Sequence, residues 1–221
     1  MKEKIKEIFK IKEIFIYWAI ILIIYGVLLA LIRNYETLSF FYHLALFSFP
    51  LVLLFSKKEN CESLGFKKGN VKEGILWLSI VLIPLIGGTY LRAFLLHKSV
   101  NLVFAFSFPF IMTITLGPIS EEIFHRGLLQ TKLEKILGET QGVVFPAILF
   151  ALIHVPKLLF AKDYVSVSTP LLPVLANPII GLFLFFGLGM LFGYIYQGTK
   201  SIYYAIGAHA FVNLVISVLV Y

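Results

Sequence analysis

Long apolar runs, separated by short polar connections, dominate this chain. Hydrophobic stretches near 14–32, 37–55, 74–95, 102–118, 143–160, 176–197 and 202–220 approach the roughly 20 residues that a helix needs to cross a hydrocarbon core. None alternates with the period of two expected of a barrel strand. Lipid offers no partner to an unpaired backbone amide, which leaves helices as the spanning element. The pattern therefore predicts an all-α fold, a polytopic transmembrane helix bundle of about seven spans, within a range of six to eight. The fourth run is predicted to break at Gly117-Pro118 and to continue as an amphipathic helix over 120–136. Ahead of the first run, residues 1–13 mix charges with Ile5, Ile8, Phe9 and Ile11, the pattern of an interfacial helix. The long apolar stretch that follows, without a small-residue cleavage site, argues against a cleaved signal peptide.

Composition agrees with lipid as the main solvent. Apolar residues make up 59% and charged residues 14% of the 221 positions, against roughly 45–50% and 25% in soluble domains. Mean hydropathy is +0.92. The length predicts a single integral-membrane domain over 1–221. A net charge of +7 would suit nucleic-acid binding, but the basic residues cluster between apolar runs, where they act as topology signals. No nucleic-acid partner is expected. With the N-terminus placed inside, inner segments hold five Lys or Arg in 1–13, five in 56–73, three in 119–142, and Lys200. The outer segments hold Arg33, Arg92, Lys98, Lys157 and Lys162. That bias predicts a cytoplasmic N-terminus and an outside C-terminus. Cys61 is the only cysteine, so no intramolecular disulfide forms, and its polar setting reads as an exposed loop.

Three polar patterns interrupt the apolar segments of the second half: Glu121-Glu122-x-x-x-Arg126, Phe150-x-x-x-His154 and His209-x-x-x-Asn213. Ionisable residues in membrane segments usually face a bundle interior or a watery cavity and mark function. Ser120 is a plausible N-cap for the helix predicted after Pro118, which would put both glutamates in a first turn favoured by the helix dipole. Glu122 and Arg126, four apart, share a face and can pair. Glu121 points elsewhere and is free to act as a base. Apolar surroundings destabilise its ionised form, the dipole and the arginine favour it, and the sequence leaves that balance open. Each pattern also has a bland reading. The glutamates could decorate a helix start, His154 could sit at the membrane interface, and His209 with Asn213 could join helices by a hydrogen bond. The set of three, on three separate apolar segments, is the stronger signal.

Those three motifs, in that order, resemble the CAAX protease and bacteriocin-processing intramembrane proteases, which include the type II CAAX prenyl endopeptidase. The likeness covers roughly 105–217, carried by EEIFHR, FALIH and HAFVN. The Asn ending of the third motif resembles the prenyl-endopeptidase branch. A departure is His125, where many relatives have an aromatic residue; it follows Glu121 by four and can share its face. The resemblance implies that Glu121 and His154 activate a water, and that His209 and Asn213 hold the oxyanion. It gives Glu122, Arg126 and Phe150 structural or substrate-binding roles, with Arg126 as partner to Glu122 or to a substrate carboxylate.

Two histidines and a glutamate are also a familiar zinc set, but the H-E-x-x-H spacing is absent. The resemblance implies a metal-free, glutamate-dependent protease without cofactor; zinc is the alternative. Expected partners are membrane lipid and a peptide or lipidated protein substrate. The oligomeric state is open. Competing functions are a non-catalytic membrane scaffold or bacteriocin-immunity protein of the same fold, and a small transporter. The transporter would spread polar residues along a path or across repeated halves, and no repeat is present.

Overall fold

The computed structural model describes residues 2–32, 34–56, 58–95, 111–112, 114–160 and 177–218. Their order is α1 (Lys2–Ile32), α2 (Tyr35–Phe55), α3 (Val71–Leu95), α4 (Leu116–Glu122), a π-helical stretch (Ile123–Gln130), α5 (Thr131–Leu137), α6 (Glu139–Leu152), α7 (Val155–Phe160), α8 (Pro178–Thr199) and α9 (Ile202–Val218). No strand occurs among the described residues. The predicted all-α bundle is the observed fold.

Five segments are long and apolar enough to cross a membrane: Ile11–Ile32, Thr37–Phe55, Val71–Gly88, Glu139–Phe160 and Pro178–Thr199. Ile202–Val215 is a shorter apolar helix at the predicted last span. Most of the predicted fourth span, 102–118, lies outside the described residues, as do Arg33, Lys57, Lys98 and Lys162 of the topology signal and the polar stretch 161–169.

Burial is inverted relative to a soluble protein. Phe55, Ile83 and Phe183 are exposed by 84%, 69% and 70%, while Glu122, His125, Arg126 and Gln130 are fully buried. Water would penalise both halves of that arrangement; lipid around the apolar faces removes the first penalty, and pairing inside the bundle must offset the second. The chain is a multi-pass membrane protein on this pattern.

Local signals set the helix ends. Asn34 caps α2 by accepting the Thr37 amide at 3.2 Å, and Asn177 caps α8 by accepting from Ile179 at 3.0 Å with Pro178 behind it. One expectation needs correcting. The break falls at Thr115, just upstream of Gly117-Pro118, and Ser120 is not an N-cap. Helix α4 starts at Leu116, so Pro118 falls in its first turn, where a missing amide hydrogen costs no intrahelical bond. The Ser120 hydroxyl turns back onto the Gly117 carbonyl at 3.0 Å. Both glutamates therefore close α4 rather than open a helix.

Small residues bring α6 and α8 together, as is common between membrane helices. A Cβ on Gly189 would lie 2.9 Å from the Ala147 Cα, and one on Gly193 would lie 2.8 Å from a Val143 methyl. Gly189→Val is expected to lower stability by about 1–3 kcal/mol through overpacking, read as thermal unfolding in detergent. Gly187→Val, at a position whose Cβ would meet nothing within 4 Å, is the control expected to leave the transition in place.

Candidate active site

Three helices bring the polar motifs to one place. The first motif straddles the junction between α4 and the π-helical stretch, the second ends α6, and the third lies on α9. Extended π geometry is rare and often found at functional sites. Here it closes at Thr131, whose backbone N–H reaches the Arg126 carbonyl five residues back.

Glu122 and Arg126 form the expected pair, with Nε to Oε2 at 3.2 Å and both side chains wholly buried. Arg126 also donates from Nη2 to the Gly189 carbonyl at 2.6 Å, and its guanidinium lies 4.9 Å from the Phe150 ring centroid. One turn further on, Gln130 donates to the Gly193 carbonyl at 3.0 Å. Arg126 and Gln130 thus fasten the motif helix to α8 at the two glycines that allow close approach. The guanidinium is wholly buried between the two helices.

The other Glu122 oxygen, Oε1, lies 2.8 Å from His209 Nδ1. A carboxylate only accepts, so His209 donates Nδ1–H to it. This leaves His209 Nε2 facing Glu121 Oε2 at 3.9 Å. The His209 ring stacks on Phe192, 4.6 Å between centroids and 17° between planes. Asn213 follows one turn along α9 and is half-buried.

His154 donates Nδ1–H to the Phe150 carbonyl at 2.8 Å and stacks on Phe185 at 3.7 Å and 17°. His125 donates Nδ1–H to the Glu121 backbone carbonyl at 2.8 Å. It shares the Glu121 face, as its spacing predicted, but meets the main chain rather than the carboxylate. Phe150 is the hub, its centroid 5.6 Å from the rings of His125 and His209 and 5.0 Å from that of His154.

Glu121 stands apart from this network. It is 5% exposed, yet its Oε2 makes no hydrogen bond among the described residues. Its oxygens stand 3.9 Å from His209 Nε2 and, on the other side, 3.7 Å from His43 Nδ1, and the charge of Lys157 on α7 also acts on it. No hydrogen bond or ion pair joins it to His154. His43, on α2, was invisible to motif spacing, because a lone histidine in FFYHLALF has no partner in the sequence. It is brought in by Ser120, whose hydroxyl lies 3.1 Å from His43 Nδ1.

The free Nε2 atoms of His154 and His209 are the kind of donor a metal ligand uses. Among the described residues, however, no three or more His, Cys, Asp or Glu side chains are grouped to hold a metal ion.

Compared with known proteins, the chain matches over residues 102–215 a family model described as Type II CAAX prenyl endopeptidase Rce1-like. No curated protein and no solved structure matches it.

Proposed function

Since this chain belongs to the type II CAAX prenyl endopeptidase Rce1-like family, a family of CAAX-type intramembrane proteases, we propose that it hydrolyses a peptide bond by a water that Glu121 activates. The observation that carries this is a buried carboxylate whose Oε2 has no hydrogen-bonded partner among the described residues. Burying such a group is costly, and unsatisfied buried polar atoms in native structures call for a reason. A scaffold reading explains Glu122, Arg126 and His209 as an interhelical network, but it leaves Glu121 without a purpose. Proton abstraction from water supplies one.

The remaining groups fit around that step. His154, with Nδ1–H given to a main-chain carbonyl, presents Nε2 as an acceptor that helps orient the water. His209 and Asn213 hold the developing oxyanion. His209 gives its Nδ1 proton to Glu122, which turns its Nε2 toward Glu121 and the site. Glu122 and Arg126 fix that ring, and Phe150 packs the histidines together. Arg126, wholly buried between the helices, serves the bundle rather than a substrate carboxylate.

The substrate on this reading is a lipidated protein ending in a CAAX-type sequence, cleaved after the lipid-bearing cysteine to release a tripeptide. Its lipid would lie along the exposed apolar helix faces within the bilayer. The lysine distribution supports a cytoplasmic N-terminus and cleavage near that surface. The test compares a farnesylated CAAX peptide with the same peptide lacking the lipid, using purified protein in vesicles. Cleavage of the farnesylated peptide alone is expected; equal cleavage of both would remove the prenyl specificity, and none of either would remove the reading.

The proposed mechanism uses no metal. Treatment with a strong zinc chelator, followed by its removal, is expected to leave the rate within about twofold of the untreated rate, since no step depends on metal affinity. A loss restored by zinc and not by magnesium would overturn the metal-free mechanism.

A further inference from the structure

We propose that His43 is a positioning residue for Glu121, supplied by the half of the chain that the family motifs do not reach. The inference rests on the reading of Glu121 as the water-activating base. His43 lies on α2, outside the matched residues 102–215.

The hydrogen bonds fix which ring nitrogen carries the proton. Ser120 gives its hydroxyl proton to the Gly117 carbonyl, 3.0 Å away. Its oxygen is then left to accept, and the donor 3.1 Å away is His43 Nδ1–H. The same N–H lies 3.7 Å from Glu121 Oε1. His209 lies 3.9 Å from Oε2 on the opposite side. The carboxylate is thus held between two rings, one from α2 and one from α9, without a full hydrogen bond to either. That arrangement limits how far the side chain can turn and leaves its Oε2 without a hydrogen-bonded partner among the described residues.

The surroundings of His43 are built rather than loose. Its side chain is 15% exposed, and its ring meets that of Tyr42 edge-on at 5.1 Å. A Cβ on Gly117 would stand 3.6 Å from the ring's Cε1 and Nε2, at ordinary van der Waals contact, so this turn of α4 packs directly on the ring. Ser120 couples the two helices directly, one residue before the base. Misplacing a reacting group by about 1 Å costs on the order of 100-fold in rate, so a residue that only aims Glu121 has a large effect to lose.

The geometry makes an asymmetric prediction between variants. Asparagine places an N–H donor where Nδ1–H stands, whereas glutamine reaches toward the Nε2 position and phenylalanine restores only the packing. His43→Ala, His43→Gln and His43→Phe are each expected to lower kcat about 100-fold with KM changed less than about threefold. His43→Asn is expected to recover most of that loss. A purely packing role predicts the reverse, with phenylalanine the best substitute.

A second measurement does not require turnover. A hydrophobic carbodiimide attacks protonated carboxyl groups, and peptide mapping reports labelling at Glu121 against Glu139 as an internal reference. Removing the His43 ring frees the Glu121 side chain to turn from its place between α2 and α9, among the charges of Glu122, Arg126, His209 and Lys157, and so changes its access to the reagent. Labelling at Glu121 is therefore expected to rise severalfold in His43→Ala and to stay near wild type in His43→Asn. Unchanged labelling in His43→Ala, or recovery by phenylalanine and not by asparagine, would overturn the positioning role. Should labelling respond as expected while wild type cleaves no lipidated peptide, the His43 contact stands and the proposed reaction falls.

Discussion

Glu121→Gln is expected to abolish measurable hydrolysis while leaving the protein folded, with a melting transition within a degree or two of wild type. The two halves of that result have one cause. The Glu121 Oε2 accepts no hydrogen bond among the described residues, and the two histidines beside the carboxylate stand 3.7 and 3.9 Å away. An amide of the same shape therefore disrupts little. What it removes is the capacity to take a proton from water, worth about 10²–10⁴-fold for a general base. Parallel turnover assays and thermal unfolding of the purified variant check both halves. Retained turnover would exclude Glu121 as the base. Loss of activity accompanied by unfolding would make Glu121 a structural residue like its neighbour.

Arg126→Met should show the opposite signature, a large loss of stability before any question of catalysis arises. Its guanidinium is the counter-ion of a fully buried carboxylate and a donor to a main-chain carbonyl of the neighbouring helix. Methionine keeps much of the side-chain length but leaves the buried Glu122 carboxylate without its guanidinium, held by the His209 Nδ1–H alone. Removing one partner of a buried ion pair costs about 3–5 kcal/mol, which is a large part of a typical domain's total stability. The expected result is a strongly lowered unfolding temperature in detergent, or failure to purify as a monodisperse species. Arg126→Lys should recover only part of this, since one ammonium cannot reproduce the planar fork that meets both Glu122 and Gly189. Wild-type stability in Arg126→Met would show that the ion pair is dispensable to the bundle.

The contrast between these adjacent motif residues was partly legible in the sequence. Spacing by four put Glu122 and Arg126 on one face, and a local rule of that kind survives folding because the helix itself enforces it. The spans were legible for the same reason, since length and apolarity alone decide whether a helix suits a bilayer. The break predicted at Gly117-Pro118 falls instead at Thr115, because proline is tolerated in a helix's first turn as well as at its end, and sequence does not say which turn it occupies. Nothing in the pattern announced the π-helical register of Ile123–Gln130. The Arg126–Gly189 and Gln130–Gly193 contacts and the approach of His43 to Glu121 are long-range. No window along the chain contains both members of any of these pairs.

The most direct test of the central claim is to run the cleavage of a farnesylated CAAX peptide in ¹⁸O-labelled water, with wild type and Glu121→Gln side by side. A glutamate-activated water predicts that wild type releases the tripeptide and leaves one ¹⁸O atom in the new carboxyl group of the lipidated fragment. Folded Glu121→Gln should yield no product above the no-enzyme control. Product formed equally fast by both proteins would contradict the claim that this buried carboxylate performs the chemistry.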